Sequence, residues 1–421
     1  MTEQPDLIAQ APTWRSHPYR IFFPLGMLLA WAGIAHWLLW AIGWIEESHS
    51  VFHSIAQIQG FMMCFLVGFL YTALPRRTQT APPKAWQMWV GILTPILTTG
   101  FAWFNKFAES QMPWLVLFFT LLFFSISRFR DPKAGRRAPD SFIWVPLSLT
   151  IGLAGTVLLA LYGILVASEK ELDPLVNLST QYGHIHQLGS LLLLQGMFLG
   201  FIVGVGGMVL PLLTVGDSPP DSTKSSWWLR VLHVLAALAL VGTMFLEVWD
   251  FGERPHILIR TLQGRSTAYL LRGLLLLFLL LTVARIWRRP RKEGRHRWLI
   301  WISAWMIPIG YLVGSALGYN YQAGLHLVFI AGFALMVFSV GLHVSLAHGG
   351  RPDLVSRKNW QVPVFGILIL AAAGIRGLFQ LAPAHAQLWI GIASALFLIA
   401  TLVWASLWLQ SLVKPDPSPR A

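Results

Sequence analysis

The chain has 421 residues; 55% are hydrophobic, 12% are charged, 21 are tryptophan, and the formal net charge is +13. An ordinary soluble domain is about 25% charged, so the composition excludes a soluble globule. The basic excess does not point to nucleic acid, because the charges lie in short loops between apolar runs, which is how membrane topology is written.

Residues 1–19 are polar and run straight into a full-length apolar span with no small-residue cleavage site, so they read as a cytoplasmic tail rather than a cleaved signal peptide. A bilayer core about 30 Å thick takes roughly 20 apolar residues as a helix, and helices satisfy their backbone groups from within. Twelve such spans follow, beginning near Ile21, His53, Trp86, Pro113, Phe142, Ile185, Leu229, Thr267, Leu299, Leu325, Gln361 and Gln387. The fourth is short and Phe-rich. Pro24, Pro95, Pro146 and Pro308 fall inside spans, where neighbouring helices re-satisfy the freed carbonyls. Cys64, the only cysteine, sits within the second span as a small buried hydrophobe, leaving no intrachain disulfide and no Cys-based metal site. The expected fold is an all-α polytopic membrane protein with one domain, 20–413, and a cytoplasmic tail at 414–421.

The second span, from Phe52 to Thr78, returns 136 residues later. Gln59–Thr78 aligns with Gln195–Thr214 without a gap, with 8 identities in 20 positions, including Gln-Gly at the start and Leu-Pro-x-x-Thr at the exit. Recurrence at a fixed period marks repeated structural units. A weaker third copy places Gly332-Phe333 where the first has Gly60-Phe61 and lacks the proline. Three pseudo-repeats of four helices are expected, over 20–130, 140–288 and 298–413. The second, sixth and tenth spans would then occupy equivalent places.

Basic residues fix the orientation. Arg15, Arg20, Arg76, Arg77, Lys84, the run Arg128–Arg137, Lys224, the run Arg285–Arg297, Arg351, Arg357, Lys358 and Lys414 all fall before the first span or after even-numbered ones. Loops after odd spans are acidic instead, at Glu46-Glu47, Glu169 to Asp173 and Glu247 to Glu253. The positive-inside rule therefore puts both termini in the cytoplasm of a bacterial-type inner membrane.

Thirteen histidines are many for a chain so poor in charge. With this topology, His36, His49, His53, His184, His186 and His326 lie toward the outer leaflet, the last five at the entrances of the second, sixth and tenth spans. Imidazole suits haem iron, copper and zinc, and axial histidine is a common haem ligand. A lone interfacial histidine is ordinarily a polar helix cap; three repeat-equivalent helices sharing imidazole in one leaflet argue for ligation, with His53 and His326 nearest the apolar run. His17, His256, His296 and His385 read as solvated, and His233, His343 and His348 as cytoplasmic-side contacts. Arg272 and Arg376 stand inside outer-leaflet spans. Intramembrane charge is by default a functional hypothesis, here the holding of a haem propionate or another anion, although both arginines can snorkel. Glycines such as Gly60, Gly68, Gly196, Gly200, Gly204, Gly206 and Gly207 would admit a flat macrocycle or simply close helix packing. No phosphate loop, hydrolase triad or intramembrane carboxylate pair is present, so no enzymatic reaction is assigned.

These motifs resemble the NnrS family. Its pattern Trp-His-Ala-His-Glu-Met, then Gly-Phe, then Ala-Gly-Phe-Leu-x-Thr-Ala-x-Pro reads here Phe52-His53-Ser54-Ile55-Ala56-Gln57, Gly60-Phe61 and Val67-Gly68-Phe69-Leu70-Tyr71-Thr72-Ala73-Leu74-Pro75. Its Gly-Gly-Arg-Val-Ile-Pro-Phe-Phe-Thr is similar to Gly206-Gly207-Met208-Val209-Leu210-Pro211-Leu212-Leu213-Thr214. Its His-Ala-Leu-Thr and Arg-Ala-Ser-Leu-Gly-His-Thr-Gly-Arg match His326-Leu327-Val328-Phe329 and His343-Val344-Ser345-Leu346-Ala347-His348-Gly349-Gly350-Arg351. The opening His17 to Phe23 also fits.

The resemblance implies a twelve-helix inner-membrane protein that binds haem and copper and serves nitric-oxide metabolism and resistance to nitrosative stress. By resemblance, His53, His326 and His348 carry over as metal-binding positions. Ile55, Ala56, Met208 and His343 stand where the family has His, Glu, Arg and Arg, which marks a divergent member and bears first on copper. The layout is also similar to the catalytic subunit of haem–copper oxidases and nitric-oxide reductases. The seventh span has no paired histidines and the tenth no His-x-His, so a full binuclear centre is not expected.

The expected function is haem binding in the outer half of the membrane between the second and tenth helices. His53 and His326 would be ligands, His184 or His186 an additional one, His49 and His348 further candidates, and Arg272 and Arg376 anion partners. The partners would be the lipid bilayer, nitric oxide or a redox protein, not nucleic acid. The alternative is a cofactor-free transporter or channel, or an assembly subunit, on the same repeat.

Overall fold

The computed structural model describes Ile8 and residues 11–130, 139–172, 182–217, 226–248, 264–349 and 351–413. The tail at 414–421, the basic residues Lys133, Arg136, Arg137 and Lys224, the acidic Asp173, Asp250 and Glu253, and His256 lie outside these.

Twelve long helices can be followed among the described residues: α1 Tyr19–Ala41, α2 Ser50–Thr78, α3 Ala85–Trp103, α4 Phe107–Arg130, α5 Trp144–Leu172, α6 Gly183–Thr214, α7 Trp227–Val248, α8 Gly264–Thr282, α9 Arg295–Leu317, α10 321–348, α11 Gln361–Leu381 and α12 Ala386–Val413. Ten stretches are long and apolar enough to cross a bilayer, and the chain is a multi-pass membrane protein. One of the ten, Arg295–His348, contains both α9 and α10; they part at Gly318, whose φ of +56° suits glycine. The helix α3 carries Gln87, Thr94, Thr98 and Thr99, which lower its hydropathy, and buries those four side chains inward. The expected starts agree to within a few residues. The largest difference is α4, which begins at Phe107 rather than Pro113 because the polar turn before the proline is itself helical.

The helices α2 and α6 form the inside of the bundle. The apolar window is 83% buried in α2 and 72% in α6, against 33% in α7 and α11. Around them, successive helices pack on one another, and α12 closes back on α1. The inner helices α2, α6 and α10 each carry a wide, π-helical stretch, at Ile55–Met62, Leu191–Gly196 and Leu327–Ala334. The three begin 136 residues apart each time, so the sequence period is a structural period. Such stretches are rare and concentrate at functional sites.

The preceding helix meets each of these stretches closely. A Cβ on Gly155 of α5 would lie 2.7 Å from the Leu193 backbone nitrogen and 2.8 Å from the Gly189 carbonyl; one on Gly310 of α9 would lie 2.7 Å from the Gly324 carbonyl. Backbone-to-backbone approach through small residues is how helices associate where lipid is as apolar as the core. Aromatic rings fill the middle: Phe61 stacks on Phe338 at 4.8 Å, Phe23 on Phe65 at 4.5 Å, and Trp404 lies 5.2 Å from Phe338 while its Nε1 donates to the Phe338 carbonyl at 3.0 Å. These contacts tie α1, α2, α10 and α12 together beside the cavity described next.

Candidate functional site

The N-terminal ends of α2 and α10 border a cavity of about 350 Å³, completed by α1, α11 and α12 and by Leu194 of α6. Pockets for small molecules and cofactors usually span about 300–1,000 Å³, with apolar walls and a few convergent polar groups. Here the walls include Ile34, Trp37, Phe329 and Phe397, and the polar groups include His53, His326, Arg376, Gln57 and Ser394. His53 and His326 thus share one space, although 273 residues separate them along the chain.

Both imidazoles are held alike. His53 Nδ1 lies 2.8 Å from the Gly33 carbonyl of α1, and His326 Nδ1 lies 2.7 Å from the Gln322 carbonyl one turn earlier in α10. A carbonyl oxygen only accepts, so Nδ1 carries the proton in each ring and Nε2 keeps its lone pair. Histidines that ligate metals are anchored this way, the second nitrogen tied so that tautomer and ring direction are fixed. Trp37 stands edge-on to the His53 ring at 5.8 Å. Gln57 Nε2 donates to the Ala30 carbonyl at 2.9 Å, and Gln380 Nε2 donates to Gln322 Oε1 at 2.8 Å, bracing the backbone that anchors His326.

Arg376 of α11 supplies positive charge to this cavity. Its guanidinium lies 4.6 Å over the Phe379 ring, and its buried Nη1 has no hydrogen-bond partner among the described residues. A buried charged donor without an acceptor is costly unless something fills the place. Two anchored imidazoles with free Nε2 atoms, apolar walls and an unpaired guanidinium nitrogen fit a haem, whose iron takes axial imidazole and whose carboxylates take charge-assisted hydrogen bonds.

The other candidate residues lie elsewhere. Arg272 of α8 is fully buried within protein contacts: Nη2 pairs with Glu247 at 3.0 Å, Nε donates to Thr243 Oγ1 at 3.0 Å, and Nη1 donates to Gln195 Oε1 at 3.0 Å. Tyr311 also donates to Gln195 Oε1, at 2.7 Å. This polar knot joins α6, α7, α8 and α9 and leaves Arg272 outside the His53–His326 cavity. His186 lines a second, smaller cavity of about 170 Å³ with Gln59, Gln111, Ser54 and Ser190, where it rests 4.8 Å from the Tyr162 ring. His184 is exposed at the start of α6. His49 precedes α2 and lies 5.2 Å from the Trp103 ring. His348 is at the far end of α10, about 33 Å along the helix from His326 at 1.5 Å per residue, with its ring 6.5 Å from Tyr19.

Near that far end, His343 and His296 bond to each other at 3.0 Å, while His233 accepts from Trp144 Nε1 at 3.1 Å. Ile55 and Ala56 are buried beside Phe52 and Ala102; Ile55 faces the smaller cavity. Among the described residues, no group of three or more His, Cys, Asp or Glu side chains converges to hold a metal ion.

Three features were not anticipated. His36 is buried, 6.0 Å from the His53 ring, with neither ring nitrogen hydrogen-bonded among the described residues. Gln59 bonds to Gln111 across α2 and α4 at 3.0 Å, and Gln195 receives Arg272; these two glutamines are repeat equivalents. Their identity within the repeat was the available signal. Ser394 and Phe397 of α12 carry no sequence signal at all and reach the cavity only because α12 folds back on α1.

Residues 13–415 match a family model described as NnrS protein. No curated protein matches the chain.

Proposed function

The chain belongs to the NnrS family, and on that premise we propose that it is an integral membrane haem protein that handles nitric oxide or passes electrons under nitrosative stress. The observation that carries this reading is the pairing of His53 and His326 on one cavity, each with Nδ1 tied to a carbonyl and Nε2 free. Haem supplies an iron that binds diatomic gases and changes oxidation state. The chain's own part is to hold and shield it. His53 and His326 would hold it through their Nε2 atoms, and Arg376 would pair with one of its carboxylates. Trp37, Phe329 and Phe397 would exclude water from the cavity.

The same reading places the protein in the inner membrane with both termini cytoplasmic. Arg76, Arg77, Arg128, Arg130, Arg285, Arg288 and Arg295 all lie at the end of the bundle opposite the His53–His326 cavity, in support of the positive-inside assignment. The cavity then belongs to the outer half. Copper, which the family resemblance also implies, lacks a converging set of three ligands among the described residues.

The alternative of a cofactor-free transporter requires a continuous polar path. The neighbouring cavity, which shares Met62, is walled by apolar side chains alone, which does not support that reading.

The test is the absorption spectrum of full-length protein purified from cells with ample haem. A low-spin Soret band is expected, and His53→Ala or His326→Ala should each abolish its low-spin character. A protein without any Soret band, or two variants with the parent spectrum, would refute the assignment.

A further inference from the structure

Beyond Met62 the three inner helices part around a different kind of space. A cavity of about 110 Å³ lies among α2, α6 and α10, with Phe23 of α1 and Ile300 of α9 also in its wall. Every residue of its wall is Phe, Met, Leu, Ile, Val or Gly, so it offers no polar side chain. A buried water needs about two to four polar partners, whereas an apolar cavity of about 150 Å³ stays dry and takes up xenon or benzene. The space on this axis therefore suits an uncharged, apolar occupant.

Two observations narrow that occupant. The inner helices have more of their surface inside the protein than the outer ones, with the α2 and α6 windows 83% and 72% buried, which sets the cavity among helices rather than on the lipid-facing side of one. Met62 belongs to the walls of both this cavity and the His53–His326 cavity, which makes the two neighbours through a single flexible side chain. Methionine, unbranched with three rotatable bonds, is the side chain best suited to yield at such a partition.

We propose that the axial cavity is a binding site for a small, uncharged, apolar molecule of the diatomic-gas class, held next to the His53–His326 cavity. Gas binding follows from the cavity alone. That the gas is nitric oxide on its way to a haem rests on the function proposed above.

Gly206 provides the means to test it. A Cβ there would meet only the flexible Leu210 Cδ1 tip at 2.7 Å and Ile202 Cγ2 at 3.9 Å, so a larger side chain enters the cavity rather than backbone. Crystals of the full chain pressurised with xenon should show an anomalous xenon peak among Phe65, Phe198 and Phe333, and Gly206→Leu should remove it. Val340→Phe, from α10, serves as a second filling variant should Gly206→Leu fail to fold. The proposal is overturned by absence of xenon from the axis, by xenon persisting undiminished in a filled variant, or by density for ordered water or a lipid or detergent chain in the wild-type cavity. Xenon is read whether or not the protein carries haem, so a missing Soret band would remove the function proposed above and leave this site standing.

Discussion

His53 and His326 are held by the same device: each donates Nδ1–H to a main-chain carbonyl, Gly33 O at 2.8 Å and Gln322 O at 2.7 Å, and both rings line one cavity. Neither ring has to find its tautomer when a metal arrives. If the Nε2 atoms are the ligands, truncation leaves a ring-sized vacancy beside the iron. We expect His326→Gly to lose the low-spin spectrum and millimolar imidazole to restore it, while a non-ligating analogue of similar size, pyrrole, does not. Restoration by both, or by neither, counts against ligation through His326.

Arg376, on the same cavity, has a buried guanidinium nitrogen with no partner among the described residues. A hydrogen bond to a charged group contributes about 1.5–3 kcal/mol, so Arg376→Gln should weaken haem affinity by roughly 10- to 100-fold. Arg376→Lys should recover part of it, since lysine keeps the charge but not the planar fork. Haem titration of the haem-free protein reads this directly, and unchanged affinity in both variants would detach Arg376 from the cofactor.

The Arg272–Glu247 pair is a structural knot by comparison. Removing one partner of a buried ion pair costs up to about 3–5 kcal/mol where the other charge is left alone, while replacing both is often neutral; here Glu247 keeps a longer contact, 3.6 Å, to the half-exposed Arg265. Arg272→Met should therefore lower thermal stability in detergent sharply, and Arg272→Met with Glu247→Gln should recover most of the loss. The haem spectrum of the folded double variant should match the parent. A spectral change there would tie the knot to the cofactor.

The Gln59–Gln111 bond across α2 and α4 invites a double-mutant cycle. Interhelical side-chain hydrogen bonds in membranes average about 0.6 kcal/mol. Replacing either glutamine with leucine should cost about 1–3 kcal/mol, the penalty of leaving its buried partner unsatisfied, and the double leucine variant should be the more stable of the three. Simple additivity of the two losses would show that the bond carries no coupling.

Gly324 lies against α9 so closely that an added Cβ would run into the Gly310 carbonyl and the backbone of Gly314. Overpacking of this kind costs about 1–3 kcal/mol, sometimes more, and here it displaces the turn holding Gln322 and His326. Gly324→Ala should lower thermal stability and broaden the Soret band, whereas Gly374→Ala, at a position with nothing within reach of a Cβ, should do neither. Equal effects from both substitutions would argue against the close contact.

Much of this molecule is legible in one dimension. The number of helices and their places follow from span length, because a bilayer sets the length of any helix that crosses it. The 136-residue period emerges from identities in the second and sixth spans, and it reappears as three π-helical stretches with the same spacing. His53 and His326 are visible as candidates because polar residues are rare in such spans. The two arginines, by contrast, look equivalent in sequence. Arg376 faces a cavity, and Arg272 faces Glu247.

That last difference shows where the sequence stops. Composition and periodicity determine which segments must leave water, since each residue's transfer free energy belongs to the residue itself. They do not determine which helices become neighbours. Whether a buried charge meets a carboxylate or an empty cavity depends on residues tens or hundreds of positions away, brought alongside by packing between helices. His53 and Arg376 share a wall, Arg272 does not, and an apolar space opens on the axis of the three inner helices. Only the tertiary structure decides these, because contacts between helices are made by shape and pairing, and neither is a property of one segment alone.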